Sequence, residues 1–191
     1  KIGLAAGAGG VYVSPNPSTI GKPAINIKKY VFDGIQYLDA DNPPGPDIVQ
    51  GTNPLFKYVI KNTGNAVITD IVVTDNQFVD PLKEATDAPL SLIPGASFTI
   101  EDIPGSWTGG LQMNTATVVG NVSGTPVTDT DDANYTGVTA SITVEKEIFD
   151  GITFVAADFP PGPTLIEPTN PEFRYTVTNT GTETLTNIKL V

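Results

Sequence analysis

The sequence predicts an all-β protein, and three observations lead to that prediction. Gly (19) and Pro (17) are spread between short apolar runs, which is typical of many strands joined by turns. Apolar and polar residues alternate in several runs, such as residues 56–61, with the period of a half-buried strand. No segment has convincing helical periodicity. We therefore predict immunoglobulin-like β-sandwich modules, each with about seven short strands in roughly 115 residues.

Individual strands can be placed from this pattern. One strand around residues 56–60 is followed by Asn-Thr-Gly-Asn at 62–65, which predicts a hairpin turn in which Gly64 has positive φ. Pro94-Gly95 predicts a type II turn. The buried face of the first strand is predicted to consist of Phe56, Tyr58 and Ile60, and the return strand is predicted to contain Ile68, Ile71 and Val73. Further strands are predicted at 97–100, 114–119 and 126–130.

The chain contains an internal repeat. Residues 24–74 match 141–191 at an offset of about 117 residues. Roughly 22 of the 51 aligned positions are identical, without a gap. Turn sequences such as Pro-Pro-Gly-Pro at 43–46 and 160–163 are kept, while apolar positions are kept only in kind, as in a diverging core. A period of this length indicates whole domains in tandem.

The repeat predicts three parts: an N-terminal arm or the end of an upstream domain at 1–21, a complete repeat at 22–138, and the first half of a second repeat at 139–191. A half-sandwich that ends in an apolar strand at 188–191 would expose its core face. Either the natural chain continues, or a neighbouring subunit supplies strands by strand exchange. The apolar segment 11–14 has no counterpart before the second copy, and it is a candidate strand for completing a sheet edge.

Composition excludes several function classes. The net charge of −11 disfavours binding to nucleic acid and to anionic lipid. The absence of Cys and His excludes disulfides, thiol nucleophiles and histidine-based triads, and it excludes the usual zinc sites. No apolar run reaches the ~20 residues that a membrane-spanning helix needs, so no membrane span is predicted.

Two consecutive segments resemble a known family. Residues 58–65 (YVIKNTGN) and 68–75 (ITDIVVTD) resemble the signature of an Ig-like conserved repeat domain, of unknown function, in bacterial and archaeal cell-surface proteins. The resemblance covers 22–138 fully and 139–191 as far as that copy goes. Three later segments match further strands of the family in order: 92–97, 114–118 and 127–135.

The resemblance implies an extracellular structural protein and not a reaction. We expect a repeat module of a prokaryotic surface fibre, sheath, S-layer or adhesin stalk, which acts mechanically and by association with itself or with neighbouring repeats. The alternative is an adhesin module that recognises carbohydrate or protein through its loops. Trp107 is the one aromatic residue that favours the alternative, and we interpret it instead as capping the core from a loop. Paired carboxylates without an accompanying aromatic cluster do not predict a glycosidase, so we do not expect an enzyme.

Acidic residues are the only predicted ligands. One group lies around the proline-rich turn, and the other lies at the end of the first repeat, before a predicted linker at 135–138. Clustered carboxylates suit calcium, which takes six to eight oxygen ligands. The alternative is that these residues cap turns, and Ala156 replaces one ligand in the second copy. The candidate calcium ligands are Asp33, Asp39, Asp41, Asp129, Asp131 and Asp132.

Lysine and asparagine recur at matching positions of the two copies. Lys29 corresponds to Lys146, and Asn62 corresponds to Asn179. Buried Lys–Asn pairs form intramolecular isopeptide bonds in some pilin-like sandwiches. We prefer the simpler interpretation of a lysine at a strand edge, where its charge discourages aggregation.

Overall fold

The computed structural model describes residues 22, 24–84, 86–167 and 170–191. The predicted arm at 1–21, with its candidate strand at 11–14, lies outside the described residues. Strands make up the regular secondary structure of the described residues, and no helix is present among them, which confirms the all-β prediction. In this part of the chain there is accordingly no helix with the length and apolar character needed to cross a membrane.

The described residues form these strands, in chain order: β1 (Ile25–Phe32), β2 (Tyr37–Leu38), β3 (Asp47–Val49), β4 (Leu55–Asn62), β5 (Ile68–Asp75), β6 (Ser91–Leu92), β7 (Ser97–Pro104), β8 (Gly110–Val122), β9 (Thr125–Val138), β10 (Ile142–Phe149), β11 (Phe154–Ala156) and β12 (Phe173–Asn179).

The strands form three sheets. The first has the order β2-β1-β4-β7, the second β3-β9-β8-β5-β6, and the third β11-β10-β12. Burial alternates along β1 and β4 in the first sheet and along much of β8 in the second. This alternation gives the first sheet and the second sheet one apolar face each, which is consistent with a β-sandwich.

Two compact units share these strands. The first unit comprises Lys1–Lys28, Val59–Thr99 and Ala116–Thr130. The apolar side chains buried in the described part of this unit are Ile25, Ile27, Ile60, Ile68, Ile71, Val73, Leu92, Ala116 and Val118.

The second unit comprises Lys29–Tyr58, Ile100–Thr115 and Asp131–Val191. Its buried apolar side chains are Val31, Ala40, Ile48, Phe56, Tyr58, Ala133, Tyr135 and Val138. Phe56, Tyr58 and Ile60 are fully buried, which confirms that the alternating pattern located the core on β4. The residues of the predicted return strand, Ile68, Ile71 and Val73, are also fully buried, on β5.

The predicted hairpin at 62–65 is wrong. Strand β4 pairs with β1 and β7, whereas β5 pairs with β8 and β6 in a different sheet. The Asn62 side chain holds the segment between β4 and β5 in place. Its Nδ2 donates to Ala66 O (2.8 Å) and to Leu92 O (2.8 Å). Its Oδ1 also accepts from Gly64 N (3.0 Å), and Gly64 does not have positive φ. The asparagine therefore closes the turn through its side chain, and the chain passes to the other sheet.

Other turn predictions are confirmed or extended. Gly95 has φ +81°, and Ala96 N donates to Ile93 O (3.0 Å), as a type II turn requires. The strands predicted at 114–119 and 126–130 belong to the longer strands β8 and β9. These two strands are joined at Ser123 and Gly124, which have φ +50° and +84°. Residues 135–138 are the last part of β9, so the linker predicted there is wrong.

The two copies share the pairing of their first two strands, β1 with β2 and β10 with β11. The following cross-strand pairs correspond at the repeat offset: Val31↔Leu38 with Ile148↔Val155, and Phe32↔Tyr37 with Phe149↔Phe154. The aromatic rings of the second pair are 5.2 Å apart at 51° in the first copy and 5.3 Å apart at 50° in the second. These two residue pairs and the aromatic contact are therefore the same in both copies.

The copies differ in burial. The five side chains Ile142, Val144, Phe173, Tyr175 and Val177 are 41–58% exposed, and we call them the open face. Their counterparts in the first copy, on β1 and β4, are at most 6% exposed. Residues 180–191 form no strand, which corrects the prediction of an apolar strand at 188–191.

Candidate functional site

Three of the predicted ligands lie together. The carboxylates of Asp39, Asp41 and Asp131 have oxygens within 4.8 Å of one another, and we call them the acidic cluster. Asp39 and Asp41 are exposed, and Asp131 is half-buried. The cluster combines one residue from the end of the first repeat with two from the proline-rich turn.

Ala40 orients the two residues on the turn. Its side chain is buried, and its carbonyl oxygen accepts from both Asn134 N (2.9 Å) and Asn134 Nδ2 (2.7 Å). Successive side chains of an extended segment point in opposite directions. Because Ala40 faces inward, Asp39 and Asp41 on either side of it face solvent.

The proline-rich turn is fixed against β9. Thr136 N donates to Pro46 O (2.9 Å), and Thr136 Oγ1 donates to Pro44 O (3.1 Å). Gly45 has φ +68°, and a Cβ at this position would lie 2.0 Å from Asn134 O. Only glycine allows this close approach, so the sequence Pro-Pro-Gly-Pro sets the distance between the turn and β9.

Asp131 reaches the cluster from β9. Its Oδ2 accepts a hydrogen bond from Lys29 N (2.7 Å), which fixes the carboxylate beside β1. Three carboxylates this close repel one another, and a divalent cation relieves that repulsion. Together they offer up to about six oxygens, the donor type and number that hard cations prefer. The cluster could therefore hold a metal ion.

The other three predicted ligands are hydrogen-bonded elsewhere. Asp33 Oδ1 accepts from the backbone nitrogens of the turn that follows it, with both distances 2.7 Å. Asp129 Oδ2 accepts from the side chain and backbone of β1 residues at 2.9 and 3.0 Å. Asp132 Oδ1 accepts from Thr115 Oγ1 (2.6 Å). None of the three belongs to the acidic cluster.

Asp33 has a counterpart in the second copy with the same role. Asp150 Oδ1 accepts from Ile152 N and Thr153 N, both at 2.8 Å. The pKa of Asp33 lies below its ordinary value, mainly because the Gln36 backbone donates a hydrogen bond to its carboxylate. The pKa of Asp150 is lowered in the same way, mainly by the hydrogen bond from the Thr153 backbone. This pair of aspartates therefore caps equivalent turns, as the alternative interpretation of the acidic residues proposed.

Lys29 is not a strand-edge residue, which corrects the interpretation preferred from the sequence. Its side chain is 0% exposed, and its Nζ lies 4.7 Å from the centroid of the Phe56 ring and 5.7 Å from that of Tyr58. Nζ donates to Asn114 Oδ1. The burial follows from the alternation of β1, which turns every second side chain inward.

Lys83 is a buried polar residue that the sequence did not single out. Its Nζ donates to the carbonyl oxygens of Ile71 (2.9 Å), Glu84 (2.9 Å) and Asp87 (3.0 Å). Burial lowers the pKa of Lys83. A single lysine in a polar segment gives no sequence signal of burial, because lysines are mostly solvated. Its contacts give it a structural role, since it ties the segment after β5 to that strand.

Trp107 does not form an exposed aromatic patch. Its indole is half-buried, and Nε1 donates to Ile48 O (2.8 Å). A Cβ added at Gly109 would lie 3.3 Å from the indole ring of Trp107. These contacts agree with a residue that covers the end of the core.

Comparisons with protein-family models, with curated proteins and with solved structures found no match to this chain.

Proposed function

We propose that this chain is a structural repeat module of an extracellular prokaryotic surface protein, such as a fibre, sheath, S-layer or adhesin stalk. The observation that carries the proposal is the recurrence of the same strand register and aromatic pair in both copies. Repeated modules of one geometry give an extended protein length and stiffness. The resemblance of residues 58–65 and 68–75 to an Ig-like repeat domain of prokaryotic cell-surface proteins supports a surface location.

The strand order supports an immunoglobulin-like topology for the complete repeat. In such domains one sheet contains strands A, B and E, and the other contains G, F and C in that order. The orders β1-β4-β7 and β9-β8-β5 correspond to these, and β3 pairs in parallel with the last strand, β9. We propose that the second copy has the same topology in its assembled form.

The open face supports association between modules. It is apolar, and the corresponding residues of the first copy are buried. Exposed apolar patches of this kind mark interaction surfaces. We propose that further strands of the same kind cover it, from the same protein or from a neighbouring copy.

A pair of adjacent substitutions on β12 tests this association. Val177 belongs to the open face, and Thr178 points to the opposite side of the strand. We expect the 191-residue chain to associate as its concentration rises, Val177→Glu to weaken this association at least about tenfold, and Thr178→Glu to preserve it. Analytical ultracentrifugation measures the masses, and electron microscopy shows whether the assemblies are fibres. Monomers at every concentration, or equal effects of the two variants, would contradict association through the open face.

We propose that the cation held by the acidic cluster is calcium, and that it stiffens the turn against β9. Support comes from the three convergent carboxylates and from Asn134, which anchors Ala40 while its own buried Oδ1 has no hydrogen-bond partner among the described atoms. Calcium favours flexible, oxygen-rich sites of this type.

Calcium should stabilise the protein through Asp41 and not through Asp158, its counterpart in the second copy. At about a hundred times Kd, calcium should raise the free energy of unfolding by about 2.7 kcal/mol. Asp41→Asn should remove this gain. Asp158→Asn should keep it, because Ala156 already replaces the neighbouring ligand there. Thermal unfolding with calcium and with EDTA measures the difference, and identical curves for the unmodified chain would rule out the site.

The adhesin alternative has less support. It requires exposed aromatic residues on loops, whereas Trp107 is half-buried and hydrogen-bonded to Ile48.

A further inference from the structure

The side chain of Lys29 is held in a setting unusual for lysine. A fully buried lysine is rare without a specific partner, because removing an ammonium group from water is costly. Phe56 and Tyr58 on β4 place their rings beside Nζ. Both rings belong to fully buried residues, so Nζ lies in the interior of the second unit, away from solvent.

Nζ also contacts the carboxamide of Asn114. Asn114 is also buried, on β8, and its Oδ1 is the acceptor for Nζ. The two residues are 85 positions apart in sequence and belong to strands of different sheets. Strand geometry on both sides therefore holds an amine against an amide carbonyl group, with few alternative rotamers for either side chain.

We propose that Lys29 and Asn114 form an intramolecular isopeptide bond. The lone pair of the neutral amine attacks Cγ of Asn114, the new Nζ–Cγ bond forms, and the Cγ–Nδ2 bond breaks. One proton moves from Nζ to Nδ2, which leaves as ammonia. The product is a secondary amide, and the balance requires no oxidant, reductant or other reactant.

The setting favours this step for two reasons. Desolvation favours the neutral amine over the ammonium, and the amine is the nucleophile. The folded chain also holds the reacting groups together, so the reaction has the advantage of an intramolecular process. The bond would join β1 to β8 and so link two sheets covalently. It goes beyond the proposed structural function and does not depend on it.

Asn62, the partner suggested by the sequence pattern, is not the partner found. Its amide is engaged by Ala66, Leu92 and Gly64 in the turn after β4. Lys146 repeats the aromatic setting of Lys29, at 4.4 Å from the Phe173 ring and 5.6 Å from the Tyr175 ring. The second copy contains no counterpart of β8 in this sequence, so Lys29 is the lysine to test.

Mass spectrometry of the intact, denatured 191-residue chain tests the proposal directly. We expect a mass lower than that of the sequence by one ammonia molecule. We also expect a branched tryptic peptide that joins the segment containing Lys29 to the segment containing Asn114. A chain with the full sequence mass would overturn the proposal. So would a loss of ammonia without the branched peptide, because an asparagine can also lose ammonia by forming a succinimide.

Substitutions provide the second part of the test. Lys29→Arg and Asn114→Ala should each restore the full mass. Lys57→Arg is the matched control, because Lys57 is also a strand lysine and its Nζ lies 4.7 and 4.6 Å from two tyrosine rings. This control should retain the deficit of one ammonia. A mass deficit that persists in Lys29→Arg would overturn the proposal. If a variant folds poorly, the mass of the unmodified chain still decides whether the bond is present.

Discussion

Replacing Phe56 by alanine should lower the free energy of unfolding by about 3–5 kcal/mol, the cost of emptying a fully buried phenylalanine site. The Phe56 ring is fully buried, and the rigid strands around it cannot collapse into the space left behind. The lost apolar burial and the remaining cavity both add to this cost. Chemical denaturation followed by circular dichroism measures the loss.

Phe173→Ala is the matched control for this prediction. Phe173 occupies the corresponding position on β12, but it belongs to the open face and is 45% exposed. A lysine Nζ lies 4.4 Å from the Phe173 ring and 4.7 Å from the Phe56 ring, so both substitutions remove a similar contact between a lysine and an aromatic ring. We expect a loss of about 1–1.5 kcal/mol, since roughly half of the ring is already solvated. Equal losses in dilute solution would contradict the exposure of the open face.

The features predicted correctly from the sequence are those set by neighbours along the chain. The alternation around Phe56, Tyr58 and Ile60 located the core because strand geometry turns every second residue inward. Pro94-Gly95 predicted a type II turn because the ring of Pro94 restricts its φ, whereas Gly95 can adopt the positive φ that this turn requires. Both signals require only a few adjacent positions.

Strand pairing was not predictable in the same way. The sequence Asn-Thr-Gly-Asn after β4 suits a hairpin, but the partners of β4 are β1 and β7, which are distant in sequence. The side chain of Asn62 redirects the chain by binding Leu92 O, thirty positions away. A local turn signal contains no information about such a contact.

The candidate sites show the same limit. Asp39 and Asp41 were predicted from their spacing, but Asp131 joins them only because β9 returns beside the proline-rich turn. Lys29 was identified from the repeat, yet its burial and its contact with Asn114 depend on two strands that meet in the fold. The residue types could therefore be predicted from the sequence, whereas the combinations required the structure.

Gly45→Ala should cause a large loss of stability, and Gly162→Ala should cause a smaller one. The two glycines have nearly the same backbone conformation, with φ +68° and +69°. The left-handed backbone conformation should therefore destabilise an alanine by the same amount at both positions, about 1–2 kcal/mol. At Gly162 the new Cβ would lie 3.8 Å from Ala157 Cβ, an ordinary contact, whereas at Gly45 it would lie 2.0 Å from Asn134 O.

The difference between these variants measures the close contact of the turn with β9. Since a backbone oxygen cannot move aside easily, we expect Gly45→Ala to lose at least about 2 kcal/mol more than Gly162→Ala, as overpacking does. Chemical denaturation of the two variants gives this difference. Displacing the turn should also release Ala40 from Asn134 and separate Asp39 and Asp41 from Asp131, so calcium should stabilise Gly45→Ala less than Gly162→Ala. Equal stability losses would show that the turn does not lie against β9. Equal calcium effects would show that the cation site does not depend on that contact.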